Sequence, residues 1–162
     1  MQASLFAASL LALPVDADGA PDLLSIGDER LVCIAETDAC SVDAVQVLLG
    51  CSVGRGNLLF HLAGKQAYTF FDRTGNRSFR LLLLPRPADM ERGQALDHYR
   101  RTAPDKLFSV LPAARALPET ARIFRSYPCD DCGEITGENW LRLSDGKRLC
   151  RDCYKAYSRF DV

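Results

Sequence analysis

Four cysteines near the C-terminus have the types and spacing of a metal site. Cys129 and Cys132 form one Cys-x-x-Cys pair, Cys150 and Cys153 form a second, and seventeen residues separate the pairs. Two such pairs can supply four thiolates to one tetrahedral zinc ion when the chain between them folds back as a hairpin. The sequence therefore predicts one structural zinc ion per chain in a small zinc ribbon. A closed set of four thiolates leaves no position for a substrate, so the site is expected to stabilise the module and not to catalyse.

Three other interpretations of these four cysteines remain open. The same residues could form two disulfides, a thioredoxin-like redox pair or a rubredoxin-like iron site. The chain has seven cysteines in all. An odd number disfavours a disulfide framework and favours a reducing cytoplasm, where Cys-x-x-Cys pairs are more often metal ligands.

The net charge of the chain is close to zero, but acidic and basic residues are unevenly distributed along it. The net charge of −1 gives no overall bias toward nucleic acid or membrane. Residues 1–64 hold eight acids and two bases, whereas residues 77–125 hold ten bases and five acids. A solvated helix face is the favoured explanation of the basic stretch, although the two surfaces could also face each other across a dimer.

No apolar run is long enough to cross a membrane, and residues 4–13 lack the basic start of a signal peptide, so a buried first helix is expected.

The pattern of apolar residues predicts an α+β fold with a mostly antiparallel sheet covered by helices. Strands are expected at 30–36, 58–62, 66–71 and 77–84, and the last two should form a hairpin around residues 74–76. Helices are expected at 4–13, at 42–49 after a Ser41 cap, at 88–101 and in parts of 104–125. The predicted organisation is a core domain over 1–110, a helical linker over 111–125 and the four-cysteine zinc ribbon over 126–162.

A second group of polar residues surrounds the predicted second helix. Its members are candidates for a core site: Cys40, Asp43, Cys51, Asn57 and Lys65. Cys40 comes just before the helix, where unpaired backbone N–H groups favour a thiolate, and Cys51 follows the helix. A helix of this length separates its ends by roughly 15 Å, so the two thiols should not reach one ion. Burial as ordinary apolar residues is the competing explanation for both, and the favoured one for Cys33.

The run from Cys40 to Leu58, followed by Gly64 and Lys65, resembles the signature of the FmdE family of formylmethanofuran dehydrogenase subunits. Many members of that family carry a C-terminal zinc ribbon. The resemblance implies an α+β core, a cytoplasmic prokaryotic protein and a homodimer. It also implies an association with a molybdenum- or tungsten-dependent formylmethanofuran dehydrogenase, the enzyme that fixes carbon dioxide onto methanofuran.

One feature of the family is not found in the sequence. Relatives commonly have a His-Gly-His-x-Cys-Pro-Gly-like segment before the first helix, which could supply metal ligands to the core. Here Met1-Gln2-Ala3 leads directly into the predicted helix. Either the start of the chain is clipped or misassigned, or this member has lost the site. In both cases Cys40, Asp43 and Cys51 are expected to lack partners for a core metal site.

These observations favour a zinc-containing accessory protein of the FmdE type that is not catalytic by itself and has an oxidoreductase partner. One alternative is a metal carrier or enzyme that uses the core cysteines. Another is a regulatory module in which the ribbon and the basic stretch 77–125 bind nucleic acid or protein, with nucleic acid the less favoured ligand.

Overall fold

A computed structural model of the chain describes residues 2–18, 21–23 and 29–160. Parts of the stretch between the predicted first helix and the predicted first strand thus lie outside the described residues. Two compact units are divided between Ala121 and Arg122. The predicted helical linker over 111–125 is wrong, because residues 112–125 contain no helix. Pro112 and Pro118 explain this difference, since proline lacks an N–H group and interrupts helical hydrogen bonding.

The first unit is built on a five-stranded sheet with the order β2-β1-β3-β4-β5. The strands are β1 (Leu31–Ala35), β2 (Leu58–Phe60), β3 (Ala67–Asp72), β4 (Arg77–Leu83) and β5 (Phe108–Leu111). Strands β1 and β2 are parallel, and the other neighbouring pairs are antiparallel. Every residue of β1 and β3 is buried, as expected for central strands. The predicted α+β fold with a mostly antiparallel sheet is confirmed.

Four helices belong to the described part of this unit. They are α1 (Gln2–Leu11), α2 (Ser41–Leu49), α3 (Arg92–Arg101) and α4 (Pro104–Leu107). Helix α1 ends two residues earlier than expected because Ala12 adopts a left-handed conformation, with a φ of 50°. Helix α2 is followed by Gly50, whose left-handed φ of 63° suits glycine at this position. None of the described helices is long and apolar enough to cross a bilayer.

The sheet has two apolar faces of unequal size. On the larger face, Leu31, Cys33 and Ala35 of β1 pack with α1, α2 and aromatic residues of β3 and β4. Val32 and Ile34 point to the opposite face, because side chains alternate along a strand, and they cluster there with Phe71 and Ala113. We call residues 112–121 the covering segment, since Ala113 packs on this smaller cluster.

The hairpin predicted around residues 74–76 is confirmed between β3 and β4. Asp72 organises this turn by accepting a 3.0 Å hydrogen bond from the Thr74 backbone N–H. Both of its carboxylate oxygens also accept from Arg30, each at 3.0 Å. A Cβ at Gly75 would lie 2.5 Å from Asp72 Oδ2, so this close approach requires glycine.

Candidate metal centre

The second unit consists of two short hairpins that present the cysteine pairs. Strand β6 (Ser126–Pro128) pairs with β7 (Ile135–Gly137), and β8 (Arg142–Ser144) pairs with β9 (Lys147–Leu149). The first Cys-x-x-Cys pair directly follows β6, and the second directly follows β9. Residues 138–140, between the two hairpins, form a 3-10 turn, and β8 begins at Arg142.

Backbone hydrogen bonds shape the two turns that hold the cysteines. The Gly133 N–H donates to the Cys129 carbonyl at 3.0 Å, and the Tyr154 N–H donates to the Cys150 carbonyl at 2.9 Å. Gly133 has a φ of 77°, a conformation that favours glycine. The two turns therefore have related hydrogen bonding, and each presents its two thiols on the same side of a compact loop.

The four sulfur atoms converge. All lie within 4.8 Å of one another, and the Sγ atoms of Cys132 and Cys150 are 3.9 Å apart. Zinc–sulfur bonds of about 2.3 Å in a tetrahedron require sulfur–sulfur distances of about 3.8 Å. The donor set and its spacing therefore fit a zinc ion, which would join the two hairpins. Cys129 and Cys150 are buried, Cys153 is half-buried and Cys132 is exposed.

The thiols influence one another electrostatically. Backbone N–H groups of Cys150, Cys132 and Asp131 lower the pKa of Cys129 to about 6. The neighbouring Cys150 and Cys132 side chains instead raise the pKa of Cys153 above its usual value. The Cys129 thiolate is thus favoured by the backbone, whereas the neighbouring thiols oppose ionisation of Cys153. A divalent cation removes this opposition, because a coordinating thiol is deprotonated.

Residues outside the donor set tie the two hairpins together. The Asp130 N–H donates to the Arg148 carbonyl at 2.9 Å, and the Arg148 N–H donates to Asp130 Oδ2 at 2.6 Å. The Arg148 guanidinium lies 5.0 Å from the centre of the Tyr127 ring, a cation–π distance. The Cys150 N–H also donates to Cys129 Sγ at 3.3 Å. Sulfur–backbone bonds of this kind orient the ligands of a metal.

Two of the five core-site candidates are buried structural residues. Cys51 is fully buried, its Sγ lies 3.7 Å from the Leu31 carbonyl, and burial raises its pKa to about 12. Asn57 accepts from the Ser52 N–H at 2.8 Å and donates to the Leu31 carbonyl at 3.1 Å. Both side chains hold the loop between α2 and β2 against β1. A neutral buried thiol is a poor ligand and a poor nucleophile.

The other three core-site candidates are exposed. Cys40 precedes α2, Asp43 lies in its first turn and Lys65 lies before β3. Cys40 and Cys51 therefore lie at opposite ends of α2, as expected. Within the described ranges, the four ribbon cysteines are the sole group of three or more His, Cys, Asp or Glu residues that could share an ion.

Sequence reasoning missed a polar network beyond the end of β1. Arg80 of β4 makes two hydrogen bonds to Glu36, which lies 44 positions away in sequence. Contrary to the prediction, the Ser41 side chain does not cap α2; it makes a short hydrogen bond with the Tyr68 hydroxyl and donates to Gln66 at 3.2 Å. Only the burial of Glu36 within an apolar strand pattern could have indicated that it needs a cationic partner.

Comparison with known proteins finds a family match for each unit. A family model described as "FmdE, Molybdenum formylmethanofuran dehydrogenase operon" matches residues 1–111. The chain belongs to the FmdE family. In this FmdE protein, residues 122–159 also match a second model, described as "Prokaryotic dksA/traR C4-type zinc finger". The resemblance inferred from the run Cys40 to Leu58 is thus confirmed, and the four converging cysteines lie in the zinc-finger match.

Two individual proteins are similar to this FmdE chain. One is a "Probable S-adenosyl-L-methionine-binding protein" of Archaeoglobus fulgidus, 25% identical over 163 aligned positions that cover 83% of this chain and 43% of the relative. The chain thus spans less than half of that relative's length. The other is the crystal structure of a tungsten formylmethanofuran dehydrogenase FmdE-like protein from Syntrophus aciditrophicus. It aligns with a TM-score of 0.53 and 22% identity, covers 76% of this chain and 70% of the other, and supports the fold.

Proposed function

We propose that this protein is a non-catalytic, zinc-binding accessory protein that assists a molybdenum- or tungsten-dependent oxidoreductase of the formylmethanofuran dehydrogenase type. The convergence of four thiols within 4.8 Å is the observation that carries the zinc-binding part of the proposal. The family description, which names a molybdenum formylmethanofuran dehydrogenase operon, supports the association with the oxidoreductase.

The ribbon site is proposed to be structural, with one zinc ion per chain. Four thiolates fill a tetrahedral shell and leave no open position for water or substrate. The second unit is small, and its four strands each have three residues. Such a module buries little apolar surface and depends on a metal cross-link for its stability.

The core is proposed to have no catalytic role of its own. Cys51 and Asn57 use their polar atoms in hydrogen bonds to the backbone, and the exposed Cys40 belongs to no group of three potential metal ligands in the described chain. These contacts argue against the alternative of a metal carrier or enzyme that uses a core cysteine site. None of the seven cysteines is in a disulfide, which supports a reducing, cytoplasmic location.

Homodimerisation is part of the proposal. The excess of acidic residues over 1–64 and of basic residues over 77–125 supports association of two copies through charges of opposite sign. Light scattering after size exclusion should give twice the chain mass of 17.9 kDa. A molar mass equal to that of one chain at micromolar concentration would contradict the dimer.

Metal analysis tests the zinc assignment. Protein purified from zinc-supplemented cells should hold one zinc ion per chain by inductively coupled plasma mass spectrometry, and Cys129→Ser should lose it. The matched variant Cys51→Ser should keep the full zinc content, because Cys51 lies in the core. A second metal that is lost in Cys51→Ser would instead support the core-site alternative.

A binding experiment tests the oxidoreductase association. The zinc-loaded protein should co-elute with a purified tungsten or molybdenum formylmethanofuran dehydrogenase complex in size exclusion. No complex at micromolar concentration would contradict an accessory role. Retention of a mixed-sequence oligonucleotide at low salt, with a steep loss as salt rises, would favour the nucleic-acid alternative.

A further inference from the structure

A cleft of about 230 Å³ lies in the first unit beside the β3–β4 turn, between that turn and the covering segment. Arg73, Arg77 and Arg115 contribute to its polar lining. Phe71 and Leu117 contribute apolar surface. One pocket thus combines three guanidinium side chains with an apolar wall, and neither the zinc site nor the core-site candidates include any of these residues.

Arg73 is held in this cleft by one hydrogen bond, but another of its N–H groups has no acceptor. Its Nη2 donates to the Pro118 carbonyl at 2.8 Å, which ties the guanidinium to the covering segment. Its Nε is shielded from solvent and has no hydrogen-bond partner. A buried N–H donor without an acceptor costs about 1–3 kcal/mol, so a small shift of Arg73 that gave this Nε an acceptor would be favoured.

The other two arginines are available to a ligand. Arg77 and Arg115 are exposed, and among the described residues neither has an ion pair or side-chain hydrogen bond. The carboxylate that lines the cleft belongs to Asp72, and Arg30 neutralises it through two 3.0 Å hydrogen bonds. The cleft therefore has an excess of positive charge.

We propose that this cleft binds the phosphate group of a small phosphorylated molecule, whose apolar part lies against Phe71 and Leu117. A phosphate dianion needs more than one cation, and guanidinium groups match its oxygen geometry through paired N–H donors. The cleft is a concave site with convergent polar groups and an apolar wall, which is typical of small-molecule sites and not of the extended tracks that bind nucleic acid. The proposal stands independently of the oxidoreductase association.

Titration of the zinc-loaded full chain tests the proposal by nuclear magnetic resonance. The probes are inorganic phosphate, phenyl phosphate and benzoate, with the Arg73 Nε–H signal and the amides of residues 73–78 as reporters. Phenyl phosphate should bind saturably and more tightly than inorganic phosphate, because its ring contacts the apolar wall. Benzoate should bind most weakly. Saturation by inorganic phosphate with no gain for phenyl phosphate would overturn the organic part of the proposal.

Variants of exposed residues locate the site. Arg77→Gln and Arg115→Gln should each raise the dissociation constant for phenyl phosphate about tenfold or more, the usual effect of losing a charge-assisted hydrogen bond. Leu117→Ser should weaken phenyl phosphate but leave inorganic phosphate unchanged. Arg86→Gln, an exposed arginine outside the cleft, is the matched control and should bind as the parent protein does.

Three outcomes would overturn the proposal. They are the absence of saturable phosphate binding in the millimolar range, an equal loss in Arg86→Gln, and binding of a mixed-sequence oligonucleotide without binding of phenyl phosphate. The parent titration is decisive by itself if a variant fails to fold.

Discussion

Arg80 donates from Nε and Nη2 to the two carboxylate oxygens of Glu36, at 2.5 and 2.8 Å. The pair joins β4 to the residue that follows β1, and both side chains are largely buried. Arg80 holds the pKa of Glu36 below its usual value, against the opposing effect of burial. Because each charge is partly removed from water, loss of one partner leaves the other without compensation.

Replacement of Glu36 by glutamine should destabilise the first unit by about 3 kcal/mol at neutral pH. Since the folded-state pKa of Glu36 is lowered, the stabilisation is complete above the unfolded-state pKa, about 4.3. It is then lost as the pH falls through the folded-state pKa. Urea unfolding of the parent and Glu36→Gln between pH 3 and pH 7 checks this, with Asp89→Asn as an exposed acidic control. A difference that stays constant over the acidic range would contradict the role of the ion pair.

Replacement of Gly56 by alanine should destabilise the core by about 2 kcal/mol. The new Cβ would lie 2.6 Å from the Ala121 Cβ, and the φ of 73° at Gly56 adds strain for any other residue. The double variant Gly56→Ala/Ala121→Gly should recover only part of the loss, because the strain remains. Gly54→Ala is the matched control, since its Cβ meets no atom within 4 Å and thermal unfolding should be nearly unchanged. Equal destabilisation by both single alanine variants would rule out the contact with Ala121.

Removal of zinc by a chelator under reducing conditions should unfold the second unit and leave the first folded. The division between Ala121 and Arg122 makes separate loss possible, and structural zinc in small modules supplies about 10–16 kcal/mol of binding free energy. Amide spectra should lose dispersion over 122–160 and keep it over 29–121. Cys129→Ser should reproduce this spectrum, and Cys40→Ser should retain the parent one. Loss of amide dispersion over 29–121 upon chelation would contradict the separate unfolding of the second unit.

Alkylation with iodoacetamide should modify Cys40 first in the folded, zinc-loaded protein. Cys40 is exposed, whereas Cys33 and Cys51 are fully buried and burial raises the pKa of each thiol. Zinc is expected to protect the four ribbon thiols. Mass spectrometry of the intact chain should therefore find one rapid modification, removed by Cys40→Ala. Rapid labelling of Cys51 would show that the loop after α2 opens readily.

Strong local patterns allowed much of the fold to be predicted. The apolar spacing of α2, with Gly50 after it, and the turn residues between β3 and β4 specify those elements from short stretches of sequence. The cysteine spacing likewise identified the ribbon residues that converge. The contacts that stabilise α2 and the β3–β4 turn lie close together in sequence. The ribbon site uses one residue type, cysteine, in a repeated spacing.

Features that depend on distant partners were not predictable. Residues 108–111 fell in a stretch expected to be partly helical, but they form β5 because they pair with Arg80–Leu83 of β4. Ser41 had the residue type of a helix cap, but Tyr68 and Gln66 from another part of the chain engage its hydroxyl. The pairing of Glu36 with Arg80 and the arginine cleft likewise form only once β4 and the covering segment are in place.

The covering segment has an evolutionary consequence. It lies beyond the 1–111 match to the family, yet Ala121 touches Gly56, its N–H donates to Glu29, and Pro118 accepts from Arg73. A C-terminal module joined after Ala121, about ten residues beyond the end of the family match, would leave these contacts in place. A recombination at residue 111 would uncover Val32, Ile34 and Phe71 and leave an aggregation-prone sheet face.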